Sequence, residues 1–425
     1  MTTGTLALLI FSAILAQVAI AVLYGLYRRR QEYKELGRQQ GGATATSTPQ
    51  VTIAAEETMT STPSWEGLRE FSVQRRELED ANHSVCSFYL QPVDAQPLPP
   101  FRPGQFLTFK LAIEDPLTHQ PKTVVRCYSL SDAPHSGHYR VTIKRVPAPS
   151  GKPEVPPGLS SNFFHDHIEE GCRLLVKAPS GHFHLMEEEK LLPIVLIGGG
   201  IGITPMLSIL NSILEGGINR EVWLYYGVRN GKEQIMKGHL QALARTHENF
   251  HLHVCYSAPE EGEQEGDDYQ HRGRVDILLL RATLKMARYQ FYVCGPKAMM
   301  ESMVPGLEEW GVDSGDIYYE SFGPATLITH EKPATTTTAA QPITITFSRS
   351  GKSIPWDPAA DSLLEFAEAN GIEVESGCRA GSCGSCQTPV SNGEVDYKQE
   401  PDADVAPGHC LLCISTPKGD LALEA

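Results

Sequence analysis

The spacing of apolar positions changes character several times along this chain. Leu6 to Tyr27 is one apolar run, free of charge and interrupted only by Ser12 and Gln17. At ~1.5 Å per residue it is long enough to cross a bilayer core, which predicts a transmembrane anchor over 1–30. A linker is expected over 31–66. Its stretch Gly41 to Ser64 is rich in Thr, Ala, Gly, Ser and Pro without periodicity and predicts a disordered tether. Over 67–187 the pattern is short alternating strands separated by Pro and Gly turns, as in Tyr139 to Val146. That pattern predicts an antiparallel β-barrel. Over 188–326 buried strands alternate with helices: Pro193 to Ile197, Val222 to Tyr226, His251 to Tyr256, Phe291 to Val293. A parallel α/β domain follows. A second Thr/Ala/Pro tract, Pro333 to Pro342, predicts a linker over 327–341. The last domain, 342–425, opens with alternating Ile343 to Phe347 and has one helical stretch, Ser362 to Ala369. The expected class is therefore multidomain α/β and α+β.

Composition and charge narrow the function. A chain of 425 residues exceeds a single core and suits three domains with tails. Its 36 basic and 51 acidic side chains give a net charge of −15, which argues against nucleic acid as a partner. Arg28, Arg29, Arg30 and Lys34 follow the apolar run, and no Lys or Arg precedes it. By the positive-inside rule the expected location is a single-pass cell inner membrane, with the C-terminal domains cytoplasmic. A cleaved signal peptide, with Ala19-Ile20-Ala21 as cleavage site, would want its positive charge before the run. Cys86, Cys127, Cys172, Cys255, Cys294 and Cys410 are scattered singly, which is no disulfide framework and implies a reducing compartment.

The strongest chemical signal is Cys378-x4-Cys383-x2-Cys386 with a further cysteine downstream. This is the spacing of the plant-type 2Fe–2S ligand loop. Soft thiolates hold iron. Gly377, Gly381 and Gly384 allow positive φ and let backbone N–H groups approach the sulfides. The fourth ligand is Cys410 or Cys413. Cys413 is favoured because Leu411-Leu412-Cys413-Ile414 offers a buried strand end. A zinc site would pair two Cys-x2–4-Cys knuckles, and no second knuckle is present. The segment from Pro342 resembles plant-type ferredoxins, with Gly377 to Cys386 close to the family loop. The resemblance implies a β-grasp fold and Cys413 as the fourth ligand. With thirteen acidic and five basic residues, the segment suits steering toward a basic partner.

Arg126-Cys127-Tyr128-Ser129-Leu130 ends a barrel strand. An Arg can pair with a pyrophosphate, a Tyr can lie on a flavin ring, and a Ser can bond a ring nitrogen. Gly158-Leu159-Ser160-Ser161 makes a turn into a helix start, where phosphate can perch. With Pro103-Gly104-Gln105-Phe106 and Val141 to Arg145, these runs resemble the ferredoxin–NADP reductase superfamily, most closely the reductase half of flavohaemoglobins. The resemblance implies FAD rather than FMN. Arg126 would face its pyrophosphate, Tyr128 its ring and Ser129 its N5. Gly158, Ser160 and Ser161 would hold the diphosphate, with Ser161 the best single donor.

Gly198-Gly199-Gly200-Ile201-Gly202-Ile203-Thr204-Pro205 follows a buried strand, so a dinucleotide can approach a helix start. Pro205 stands where an ordinary Rossmann fingerprint wants Gly, but Gly-x-Gly-x-Thr-Pro is typical of the reductase superfamily. Gly200, Gly202, Thr204 and Pro205 are therefore expected at the nicotinamide cofactor. In the family, the Cys of Cys294-Gly295-Pro296 lies by the nicotinamide. The resemblance also implies Phe322 over the flavin ring and Glu320 in the proton network near N5. Ser129, Cys294 and Glu320 are thus the expected catalytic residues. Cys255-Tyr256-Ser257 runs into Ala258-Pro259-Glu260-Glu261 without the Arg that relatives preferring NADPH carry, so NADH is favoured over NADPH.

The order of domains resembles phthalate-dioxygenase-reductase-type enzymes. It implies electron transfer from NADH through FAD and a 2Fe–2S cluster to a partner oxygenase, hydroxylase or haem protein, expected to be membrane-associated. The alternatives are an NADH:quinone or nitrogen-oxide-linked reductase, and a redox-sensing membrane protein.

Overall fold

The computed structural model describes residues 65–114, 119–135, 137–148, 157–186, 192–322, 343–379, 381, 383–398, 401 and 403–425. The first domain is antiparallel. Its elements are β1 (Arg69–Leu78), β2 (Val85–Pro92), β3 (Phe106–Glu114), β4 (Pro121–Ser129), β5 (Tyr139–Lys144), α1 (Leu159–His167) and β6 (Arg173–Ser180). The spatial order is β4-β3-β6-β1-β2-β5, and a bridge between Leu130 and Val141 joins the two ends. Alternation sends Phe71, Val73, Leu111 and Ile113 inward. Phe164 of α1 meets Phe88 and Phe109 edge-on at 5.2 and 5.3 Å, which seats the helix on the barrel.

The second domain runs β7 (Ile194–Gly199), α2 (Ile203–Glu215), β8 (Val222–Val228), α3 (Lys237–Thr246), β9 (Phe250–Tyr256), β10 (His271–Arg272), α4 (Ile277–Thr283), β11 (Gln290–Gly295), α5 (Lys297–Glu309) and β12 (Ile317–Ser321). All six strands are parallel, in the order β10-β9-β8-β7-β11-β12. Every residue of β7 and β11 is buried, because helices cover both faces. Ile209 and Ile213 of α2 pack with Leu240 of α3 in one apolar cluster, and Met303 and Leu307 of α5 belong to another. Strand order reverses between β7 and β11. The crevice beyond their carboxyl ends is where such sheets bind ligands.

The third domain holds β13 (Thr344–Phe347), β14 (Lys352–Pro355), α6 (Leu363–Ala369), β15 (Gln387–Asn392), β16 (Val395–Tyr397), β17 (His409–Leu411), β18 (Ser415–Pro417) and β19 (Leu421–Leu423). Its mixed sheet is ordered β14-β13-β19-β15-β17, with a β16-β18 pair beside it. Ser362 caps α6 by accepting from the Glu365 N–H at 3.2 Å. The Glu365 carboxylate takes the Asp361 N–H at 2.8 Å, and Leu363, Phe366 and Ala367 turn into the core.

One expectation from the sequence is corrected here. Among the described residues no helix is long and apolar enough to cross a membrane. The longest, α2 and α5, have 13 residues each. That is ~20 Å of helix against a bilayer core of ~30 Å. The single-pass inner-membrane location therefore has no structural support and is withdrawn. The apolar run 6–27, the tether 41–64 and the tract 333–342 lie outside the described residues.

Candidate functional site

Strand β4 delivers the first group of side chains. Arg126 is exposed, and one guanidinium nitrogen donates to its neighbour Val125 O at 2.7 Å. Tyr128 lies edge-on to Phe109 and Phe164, and its hydroxyl is 2.9 Å from Ser160 Oγ. Burial pushes the Tyr128 phenol up to about 12. The Ser129 hydroxyl donates to Glu320 Oε2 at 3.5 Å across the junction between the first two domains. Burial in turn pushes Glu320 up to about 8, the Ser129 hydrogen bond opposing it. Gly158 precedes α1, where no side chain caps the helix. A Cβ at 158 would sit 2.7 Å from Ser161 Oγ and 2.8 Å from Val146 Cβ. The Ser161 hydroxyl donates to Gly158 O at 3.2 Å and accepts from Val146 N–H at 3.3 Å, closing the turn. Ser160 is the serine that faces Tyr128. Phe322, just past β12, is 39% exposed.

The second group lies at the strand-order reversal. Register aligns Cys294 of β11 with Gly198 of β7 on one side and Glu320 of β12 on the other. Gly200 has φ of +54°. A Cβ on Gly202 would meet Cys294 O at 2.3 Å, so only glycine lets α2 start this close to β11. Gly199 and Gly295 face each other and Met299 with the same lack of room. Thr204 is buried and donates to Ile201 O at 3.0 Å, closing the glycine turn. Pro205 stands in the first turn of α2, where a missing N–H costs nothing. Pro296 precedes α5. Cys294 is fully buried, and burial, with Glu320 adding to it, holds its thiol well above the ordinary value.

The third group is sulfur. Cys378 N–H donates to Cys383 Sγ at 3.2 Å, and Cys383 N–H to Cys378 Sγ at 3.3 Å. Cys386 and Cys413 are hydrogen-bonded through their thiols, which holds Cys386 down and Cys413 up. All ten cysteines are free of disulfides. Four buried or half-buried thiols brought together without a disulfide, with backbone donors aimed at them, is a donor set that fits a 2Fe–2S cluster. Gly381 and Gly384 have φ of +80° and +68°, and a Cβ on Gly381 would be 2.6 Å from Ile414. Cys413 is not in a strand. β17 stops at Leu411, and Cys413 stands in the short 3-10 turn that follows. Cys410, inside β17, is fully buried, and burial pushes it up to about 12.

Three residues at this site carry no signal in sequence spacing. The Cys127 thiol is hydrogen-bonded to the Cys378 and Cys383 sulfurs. Lys177 of β6 donates from Nζ to Cys383 O at 2.9 Å. Thr108 of β3 places its hydroxyl 3.3 Å from Cys127 Sγ. Each lies more than 200 residues from the cysteine loop, so only folding brings them there.

Fold and site together fit a flavin-binding barrel, a nicotinamide domain and a 2Fe–2S domain, the parts from which NAD(P)H-dependent oxidoreductases are built. The chain belongs to the ferredoxin–NADP reductase superfamily, here fused to a 2Fe–2S ferredoxin. The oxidoreductase NAD-binding domain family matches residues 196–304, and the 2Fe-2S iron-sulfur cluster binding domain family matches 345–418. A flavohemoprotein of Halalkalibacterium halodurans is 40% identical over 261 residues, 61% of this chain and 61% of its own. The chain thus spans about 61% of the length of that relative. The flavohem-like FAD/NAD binding domain of a nitric oxide dioxygenase from Vibrio cholerae O1 biovar El Tor is 30% identical. It matches 60% of this chain and 99% of its own, at a TM-score of 0.51. Phthalate dioxygenase reductase, described as a modular structure for electron transfer from pyridine nucleotides to [2Fe-2S], is 28% identical. It matches 84% of this chain and 98% of its own, at a TM-score of 0.50.

Proposed function

We propose that this chain is an NADH-dependent reductase that passes single electrons to a partner oxygenase, hydroxylase or haem protein. One observation carries the reading. Val125, Cys127 and Ser129 share one face of β4 by the two-residue period of a strand. Ser129 reaches Glu320 at the flavin and nicotinamide end, while Cys127 reaches the cysteine loop two residues, or ~7 Å, away. FAD, when bound, would supply the conversion of a two-electron hydride into single electrons, which a one-electron cluster requires.

The chain's own residues then have distinct tasks. Arg126 and the uncapped start of α1, with Gly158, Ser160 and Ser161, neutralise and cradle the FAD pyrophosphate. Tyr128 and Phe322 would flank the flavin ring, and Ser129, hydrogen-bonded to Glu320, would be the donor toward it. Gly200, Gly202, Thr204 and Pro205 shape the turn that admits the nicotinamide cofactor's pyrophosphate. Cys294, Gly295 and Pro296 bound the nicotinamide. Cys378, Cys383, Cys386 and Cys413 ligate iron. NADH is preferred because Ser257 runs into Ala258-Pro259-Glu260-Glu261 without an Arg directly after it. Two cations of the neighbouring loop are engaged in ion pairs, Lys232 with Glu260 at 2.7 Å and Arg229 with Glu233 at 3.3 Å.

An anaerobic NADH titration of the full chain, followed by absorption and EPR, tests the proposal. Bleaching of a flavin band and then a rhombic signal from a reduced 2Fe–2S cluster is expected, with NADPH far slower. A bleached flavin with no cluster signal would refute the electron path.

A further inference from the structure

The proposed reading takes Cys127 only as the point where β4 meets the cysteine loop and gives its thiol no task. The residue belongs to the barrel, but its sulfur touches two sulfurs of another domain. Packing there is close: a Cβ on Gly377, next to Cys378, would come within 3.2 Å of Val125. The Lys177 bond to Cys383 O pins the same loop from β6. Behind Cys127, Thr108 is its direct partner across the β3–β4 ladder, with its hydroxyl within hydrogen-bonding distance of Cys127 Sγ.

We propose that Cys127 is a fifth sulfur at the cluster, a positioning residue whose S–H donates to the ligand sulfurs of Cys378 and Cys383 and so couples the flavin strand to the cluster. The inference rests on the reading that the 378–386 loop holds a 2Fe–2S cluster. Hydrogen bonds to cluster sulfurs stabilise the more negative, reduced state and raise its potential. The Thr108 hydroxyl, donating to Cys127 Sγ, orients the thiol, since chained hydrogen bonds reinforce one another. The donor is supplied by the flavin domain. The cluster is therefore easier to reduce when its loop is seated on β4 than when it stands away from it, which favours flow from flavin to cluster in the docked state.

The test uses the full chain with its cluster. Wild type, Cys127→Ala, Cys127→Ser and Lys177→Met are compared by iron and sulfide content, EPR-monitored redox titration, and proton ENDOR after exchange into heavy water. Wild type should show an exchangeable proton coupled to the cluster. Cys127→Ala should keep its iron and sulfide, lose that proton and shift the midpoint to lower potential. Cys127→Ser, which retains a donor, should recover most of the shift. Lys177→Met should keep the exchangeable proton. An unchanged potential and proton coupling in Cys127→Ala would overturn the proposal. Loss of iron in that variant would also overturn it, by making Cys127 a ligand or a packing element. Equal changes in Cys127→Ala and Lys177→Met would reduce the effect to docking and likewise overturn it. Failure of the underlying reading is distinguishable, because wild type itself would then show no cluster.

Discussion

Glu320 illustrates how a single carboxyl is set by its surroundings. Burial pushes it up to about 8, and the only opposing contribution is the Ser129 hydrogen bond. The group therefore holds its proton at neutral pH beside the proposed flavin. The pH–rate profile of NADH oxidation should show an ionisation near 8 that Glu320→Gln removes. Linkage gives the sign for stability. The folded chain binds this proton more tightly than the unfolded chain, whose carboxyl titrates near 4.5, so stability falls as pH rises from about 4.5 through about 8. Urea unfolding at pH 6 and 9 should show a smaller difference for Glu320→Gln than for wild type. Gly202 is the opposite kind of residue, set by backbone alone. Gly202→Ala forces a methyl toward Cys294 O, where neither β11 nor α2 can yield. A loss of about 1–3 kcal/mol in urea unfolding is expected, with weaker NADH binding by equilibrium titration.

Individual elements carry more than their own pattern discloses. Strand β4 pairs with β3 along its whole length, yet its last residues contact both Glu320 of the second domain and the cysteine loop of the third. On the parallel sheet, Trp223 of β8, His251 and His253 of β9 and His271 of β10 form a stack of rings, with His253 Nδ1 2.9 Å from His271 Nε2. Burial first, then His271 and His251, lower His253 to about 4. An unfolded histidine protonates near 6.5, so stability falls as pH drops from about 6.5 through about 4. Thermal melts at pH 5 and 7 should differ less for His253→Phe than for wild type.

At the scale of the whole molecule, the domains are tied by buried polar contacts as well as by apolar packing. Asp132, after β4, accepts from Asn211 Nδ2 of α2 at 2.7 Å through its carboxylate and from Ser208 Oγ at 2.8 Å through its carbonyl. Burial opposes ionisation of Asp132, but the His138 imidazole, 4.0 Å away, and the Arg140 guanidinium prevail and hold the carboxyl well below the usual range. His135 and His138 complete a cluster of metal-ligand type. However, Arg140 already stands 3.2 Å from the carboxylate and supplies the balancing charge, so the cluster is a domain junction. Asp132→Ala would strand a nearly buried Arg140. Unfolding in urea should show a loss of about 3–5 kcal/mol, and Asn211→Ala a smaller one.

The chain order of the three folds, the glycine turn after β7 and the cysteine loop were legible in sequence because each depends on local requirements. Period-two alternation made the barrel strands, buried runs between helices made the parallel sheet, and ligand spacing made the cluster loop. Strand ends were less legible: β8 extends to Val228 and β7 to Gly199, since ladder pairing with neighbours, not side-chain pattern, sets where a strand stops. The turn that carries Cys413 was read as strand because its residues are as apolar as one. Contacts between domains were not legible in residue spacing, although the resemblance implied that Ser129 and Glu320 stand about the same flavin atom. Cys127 beside Cys383, Lys177 on the cluster loop, Ser129 facing Glu320 and Asp132 bound to Asn211 each join residues far apart in the chain. No periodicity encodes such pairs, and only the closing of the barrel and the docking of the domains decides them.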